Sequence, residues 1–232
     1  MIARIVTIAV VLGLVGTIVA VRTGALVIPD RLNPWAVLTI DSEPNVLTRF
    51  KLARLSKDPA LCRQVLATAK IRYTPIPNET TGYGCGFHEA VRVEHTSAAV
   101  GEPFALSCRA AVSLALWERH GLQPLAWKHF DQPIERIEHY GSYACRNVYG
   151  RPRATRSRHA TAEAFDVAGF VLADGTRIRV INDWGASGLR GEFLRGLRDT
   201  ACVFFDGVLT PDYNEAHKDH FHLDRGPYRL CR

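Results

Sequence analysis

An unbroken apolar run near the start constrains this chain more than any other feature. Arg4 is followed by residues 5–21, all apolar or small, and the run closes at Arg22. A positive lead followed by an apolar stretch is the form of an export signal. Its 17 residues stand at the lower limit for spanning a bilayer. No clean small-x-small cleavage site follows, because Val19-Ala20-Val21 leads into Arg22-Thr23-Gly24. The expectation is therefore an uncleaved anchor over residues 1–22 with Arg4 on the cytoplasmic side. The remainder is expected on the periplasmic side of the cytoplasmic membrane, or secreted if the segment is cleaved. Pro29, Pro34 and Pro44 mark residues 23–44 as an extended tether, and residues 45–232 as the folded domain.

Export agrees with the cysteines. Cys62, Cys85, Cys108, Cys145, Cys202 and Cys231 are an even, dispersed set with no CxxC pair. Up to three disulfides are expected rather than a redox motif or a zinc ribbon. Neighbour pairing (62–85, 108–145, 202–231) is the simplest of the fifteen connectivities that six cysteines allow. The net charge of +6 suits an anionic surface or polymer. Nucleic acid is not an expected partner: no zinc-finger spacing, RNP-type aromatic run or helix-turn-helix accompanies the charge, and export would remove that partner.

Local signals mix helices with hairpins. Asp58-Pro59 opens a helix carrying Leu61, Val65 and Leu66. Gly, Thr and Pro punctuate residues 71–101, which read as strands and loops. Residues 103–120 carry apolar side chains at Leu106, Ala110, Val112, Leu114 and Trp117, and predict a long helix stopped by Gly121. Another is predicted after Ser187, through Leu189, Phe193, Leu194 and Leu197. Asp174-Gly175 predicts a tight hairpin between residues 164–173 and 176–183, and a last strand spans 219–224. The expected class is α+β: a small antiparallel sheet carrying the chemistry, flanked by helices, beyond an N-terminal membrane segment.

Two segments carry that chemistry, Ser157-Arg158-His159-Ala160-Thr161-Ala162-Glu163-Ala164-Phe165-Asp166 and His217-Lys218-Asp219-His220-Phe221-His222. In a strand, alternate side chains share a face, so His220 and His222 point one way and Phe221 the other. If the strands are neighbours, Asp166 and two or three imidazoles converge. Imidazole nitrogen and carboxylate oxygen suit zinc, and three protein ligands leave a fourth position for water. A lone histidine is usually a hydrogen-bonded structural residue. Three within six positions, spaced HxxHxH, are harder to assign that way, although HxH alone is a moderate signal. Ser157 is read as orienting its loop, and Trp184 as core more readily than cleft lining.

The pair SxHxxxxAxD and HxH resembles the LAS metallopeptidases (lysostaphin-type endopeptidases, D-Ala-D-Ala peptidases and the Hedgehog domain) over about residues 138–224. Within that group the HxxHxH ending is most similar to penicillin-insensitive murein endopeptidases. Nearly the whole chain, from the tether Ile28-Pro29-Asp30-Arg31-Leu32-Asn33-Pro34-Trp35 to the HxDHFHLD segment, resembles the bacterial extensin-like C-terminal domain family. The resemblance implies zinc held by His159, Asp166 and His222, with His220 as base or water orienter and His217 in the outer site. Many LAS carboxypeptidases place a glutamate near the last ligand; none occupies that place here, and Asp219 is expected to face away from His220. Tyr143-Ala144-Cys145-Arg146 resembles a GYR segment whose arginine stabilises an oxyanion, which makes Arg146 the electrophilic candidate, against the ordinary solvated role of a loop arginine. The implied activity is zinc-dependent hydrolysis of peptide or amide bonds in peptidoglycan or its stem peptides. The alternative is a catalytically idle zinc-containing module that binds or braces the cell envelope.

Overall fold

The computed structural model describes residues 2–232 and divides the chain into two units, residues 1–36 and 37–232. In the first, helix α1 (Ile2–Arg22) is apolar around its whole circumference, with no buried residue. At 21 residues it is long and apolar enough to cross a membrane, a property that an anchor and a signal sequence share.

The second unit mixes helices and sheets around one core. Its chain order begins with α2 (Thr48–Leu55) and α3 (Pro59–Leu66), then strands β1 (Arg72–Ile76), β2 (Glu79–Gly82), β3 (Cys85–Phe87), β4 (Ala90–His95) and β5 (Phe104–Ser107). Helix α4 (Cys108–Trp117) continues through a π-helical stretch, Glu118–Leu122, into α5 (Gln123–Phe130). Strand β6 (Ile134–Gly141), β7 (Ala164–Leu172), β8 (Arg177–Arg179), α6 (Val180–Asp183), α7 (Leu189–Phe204), β9 (Gly207–Leu209), β10 (Phe221–Asp224) and β11 (Leu230–Cys231) complete it. The main sheet runs β11-β9-β10-β7-β6, with β8 also on β7. All its pairings are antiparallel except β11 on β9, which is parallel. A three-stranded sheet β1-β4-β5 and the β2–β3 hairpin stand beside it.

Alternation along the central strands separates core from site. Phe165 and Val167 on β7, with Phe221 and Leu223 on β10, enter the core formed with Trp117, Phe193, Leu194 and Leu197. Asp166, His222 and Asp224 therefore leave from the other face. Phe104 on β5 stacks on Phe165 with ring centroids 4.2 Å apart, which joins the two sheets. Leu38 and Ile40, near the start of this unit, are also buried in the core.

Several sequence expectations hold. Asp58 caps α3, its Oδ1 accepting from Leu61 N–H at 2.9 Å, with Pro59 in the first turn. Gly175, at φ +84°, turns β7 into β8. The second arm is shorter than expected: β8 ends at Arg179 and residues 180–183 form α6. The helix over 103–120 needs a larger correction. Residues 104–107 are strand β5, and the helix starts only after Ser107, whose hydroxyl accepts from Ala110 N–H at 3.3 Å. Nor does Gly121 stop it, because the chain runs on helically to Phe130. Gly121 instead lets α7 approach: a Cβ there would sit 2.9 Å from the Thr200 Cβ. A Gly121→Ala variant should lose roughly 1–3 kcal/mol through overpacking, read as a lower melting temperature. An unchanged melting curve would mean that the two helices have slack here.

The cysteines pair as 62–108, 85–145 and 202–231. Only the last matches the neighbour pairing. Cys62 reaches from α3 to the start of α4, and Cys85 ties the β2–β3 hairpin to the loop after β6, so two of the three links join elements that pack in space.

Candidate metal centre

The sheet brings the two histidine-bearing segments together. β7 and β10 are antiparallel neighbours in a register that sets Asp166 opposite His222. His159 comes from the 3-10 turn Arg158–Thr161, whose cap is Ser157; the Ser157 hydroxyl accepts from His159 N–H at 3.3 Å. Ala162, left-handed at φ 54°, then redirects the chain into β7. The start of β7 is clamped from outside: Arg109 binds the Glu163 carboxylate, and Glu163 O accepts from Arg225 N–H at 3.0 Å just beyond β10.

Three ligand-type atoms meet as a result. His159 Nε2 lies 3.1 Å from His222 Nδ1 and 3.1 Å from Asp166 Oδ2, and His222 Nδ1 lies 2.9 Å from Asp166 Oδ1. All three residues are buried and form a set that could hold a metal ion. The outer nitrogens face acceptors alone. His159 Nδ1 is 3.0 Å from the Ser142 carbonyl, and His222 Nε2 is 3.1 Å from Asp224 Oδ2. Hydrogen-bond logic places the imidazole protons on those outer atoms, so the inner nitrogens turn lone pairs towards each other and towards a carboxylate. Such a cluster wants a cation at its centre. The spacings are slightly shorter than the ~3.3 Å edge of a tetrahedron with zinc–nitrogen bonds of about 2.0–2.1 Å. A carbonyl and a carboxylate behind the two imidazoles are the outer partners expected of zinc-binding histidines. The residues fit zinc.

The same residues are strongly coupled electrostatically. Burial works against charge at both partners of the central pair. Even so, the close approach of His159 and His222 holds Asp166 well below the usual carboxylate range, and Asp166 and Asp224 together raise His222 above the usual imidazole range. Burial, and then the nearby His222 and His220, lower His217 to about 4.

The other expected residues fall in three places. His220, half-buried just before β10, sets Nε2 3.7 Å from Asp166 Oδ1. Its Nδ1 lies 2.9 Å from Asp219 Oδ1, and Asp219 Oδ2 accepts from Tyr140 OH at 3.2 Å. The expectation that Asp219 faces away from His220 is thus corrected: both residues precede the strand, where alternation does not apply. His217 stands behind, with its ring centroid 5.3 Å from that of His220 and its Nδ1 2.7 Å from Asn214 Oδ1. Arg146 is exposed and lines the same cleft. That cleft, about 750 Å3, is also walled by Arg156, Arg158, Tyr149, Tyr213 and Tyr228. Arg156 is occupied, donating to the Tyr83 carbonyl and to Asn147 Oδ1. Trp184 is core, its ring edge-on to Phe221 and its Nε1 donating to Asp212 at 2.8 Å.

Asp224 was missed, although it stands two residues after His222 and so on the same face. Its packing against β9 is tight. A Cβ on Gly207 would overlap the Asp224 carboxylate, so that glycine is needed for close approach. If zinc occupies this set, an Asp224→Asn variant is expected to weaken its binding roughly 10- to 100-fold, read by competition with a chromogenic chelator. An unchanged affinity would remove Asp224 from the site.

A family model described as "Extensin-like protein C-terminus" matches residues 60–232, a span that contains every site residue above. No curated protein and no solved structure matches the chain.

Proposed function

This chain belongs to the family of extensin-like protein C-termini, and on that premise we propose that its cleft belongs to a zinc-dependent peptidase or amide hydrolase acting on peptidoglycan stem peptides. The observation that carries the reading is the buried convergence of His159, Asp166 and His222, each imidazole backed by its own acceptor, on the wall of an open cleft. The likeness of the SxHxxxxAxD and HxH pattern to LAS metallopeptidases supplies the bond class. Envelope location is supported by α1, by the disulfides and by the basic charge. In this reading the cleft lies on the periplasmic side and α1 is the anchor.

Zinc in this set would supply a Lewis acid and lower the pKa of a water to about 7. The chain's own residues do the rest. Asp219 holds His220 by Nδ1, which leaves Nε2 directed at the Asp166 side of the cluster, placed to take a proton from water and return it to the leaving amine. Tyr140 fixes Asp219 in turn. Arg146 offers a fixed positive charge from the rim for the oxygen that becomes negative during attack. Arg158, on the same wall, can hold a substrate carboxylate.

The test is elemental analysis of the purified full chain in detergent, with muropeptide digestion before and after chelation. One zinc per chain with cleavage that chelation abolishes and zinc restores supports the hydrolase. One zinc without cleavage of any muropeptide favours the idle envelope module. No bound metal after zinc loading overturns the reading.

A further inference from the structure

The positive charge of the chain is concentrated on one loop at the cleft. Arg146, Arg151, Arg153, Arg156 and Arg158 account for nearly all of the net charge of +6. No aspartate or glutamate occurs from residue 139 to residue 162. Elsewhere in the domain, arginines that are out of full solvent contact are matched: Arg109 by Glu163, and both Arg49 and Arg225 by Asp206. Among the described residues, none of the five loop arginines has a carboxylate partner.

Three of the five, Arg146, Arg156 and Arg158, wall the cleft itself. Arg156 donates to neutral acceptors only, the Tyr83 carbonyl and Asn147 Oδ1, which leave its charge standing. Arg158 is the sharper case. It is half-buried, yet its side chain makes no hydrogen bond or ion pair among the described residues. Its backbone is fixed, since Arg158 O accepts from Glu163 N–H at 3.0 Å, while the guanidinium is left over. Drawing a charge partly out of water without a partner costs free energy. A planar fork of donors is matched best by a carboxylate. The carboxylates of the cleft are already engaged: Asp166 with His159 and His222, and Asp224 with His222 and the Gly226 N–H.

Between the arginines the walls are aromatic. Tyr149, Tyr213 and Tyr228 are exposed along the same cleft, and Arg151 stands 5.5 Å from the centroid of the Tyr149 ring. Cations interleaved with apolar surface suit a peptide, whose carboxylates are separated by carbon and neutral amides. A phosphate polymer, with a charge on every unit, leaves those rings unused.

We propose that the cleft selects acidic peptides, holding a free carboxylate on Arg158 and discriminating against the same peptide once its carboxylates are amidated. The choice of a peptide rests on the hydrolase reading; the inference adds which stem peptides are taken. Calorimetry tests it on the full chain in detergent, zinc-loaded and again metal-free, so that binding is read with or without turnover. The probes are Ala-γ-D-Glu-Lys-D-Ala-D-Ala with both carboxylates free, its diamide, and tripolyphosphate against the metal-free chain. The acid is expected to bind roughly 10- to 100-fold tighter than the diamide, the worth of a hydrogen-bonded pair between charged groups. Arg158→Gln should erase that preference, and Arg158→Lys should keep part of it. Arg92→Gln, an equal change of charge on β4 outside the cleft, should leave it whole. The proposal is overturned if acid and diamide bind alike, if neither binds at millimolar concentration, if Arg158→Gln keeps the full preference, or if tripolyphosphate binds tighter than the acid. An acid-selective chain that cleaves no muropeptide upholds this inference and loses only the hydrolase reading; one that cleaves acid and diamide alike does the reverse.

Discussion

Alanine at His159 or His222 should strip the chain of stoichiometric zinc, whereas alanine at His220 should leave the metal and remove cleavage. The difference follows from position. His159 Nε2 and His222 Nδ1 point into the cluster and are held there by Ser142 O and Asp224, so either substitution removes a proposed ligand and strands its outer partner. The expected loss of affinity exceeds the roughly 10- to 100-fold that an outer partner alone is worth. His220 stands one step out, 3.7 Å from Asp166 and tied to Asp219. Metal content by mass spectrometry, with circular dichroism to confirm folding, reads all three variants. Equal zinc retention across them would overturn the ligand assignment.

The second large effect concerns the disulfides, and it divides them. A Cys85→Ser/Cys145→Ser variant loses the link between the β2–β3 hairpin and the loop after β6, whose chain separation is 60 residues. Chain entropy and ordinary experience put the cost at about 2–4 kcal/mol, or a fall of roughly 5–15 °C in melting temperature for a domain of this size. The same loop supplies the Ser142 carbonyl behind His159 and the Ala144 N–H that donates to His159 O at 3.2 Å. Zinc affinity should therefore fall along with stability. Cys202→Ser/Cys231→Ser should lower the melting temperature comparably and lower zinc affinity less, because Cys231 reaches the cluster only through β9, whose Gly207 packs on Asp224. Equal effects of the two variants on zinc would show that the 142–146 loop does not hold the site.

The elements most legible in the sequence were those with a local chemical signature. Asp58-Pro59 announces α3, Asp174-Gly175 announces the β7–β8 turn, and the alternation of Phe221, His222 and Leu223 announces β10 and its two faces. What the sequence hides is set by tertiary context. Strand β5 is four residues long and abuts a helix of similar apolar character, so periodicity alone merged the two. Only the Ser107 cap marks the seam. Strand β6 has register shifts at three points, which break the period-2 pattern that would reveal it. Strands β9 and β11 have three and two residues, too few to carry a pattern. Within the candidate site, His159, Asp166 and His222 were legible as a spaced set. The Ser142 carbonyl was not, because a backbone acceptor has no residue-type signal. Asp219 was misplaced because strand geometry was extended two residues too far.

Strand β11 has one more consequence. It closes the main sheet at one margin with only Leu230 and Cys231, and the Cys202–Cys231 bond fastens it to α7. A sheet margin is where unpaired backbone groups can recruit another chain and start aggregation, and a short, pinned margin offers little template. The fastening depends on oxidation. Under reducing conditions the tail can peel from β9 and uncover a longer, apolar backbone rim, so the oxidised chain should stay dispersed where the reduced one self-associates.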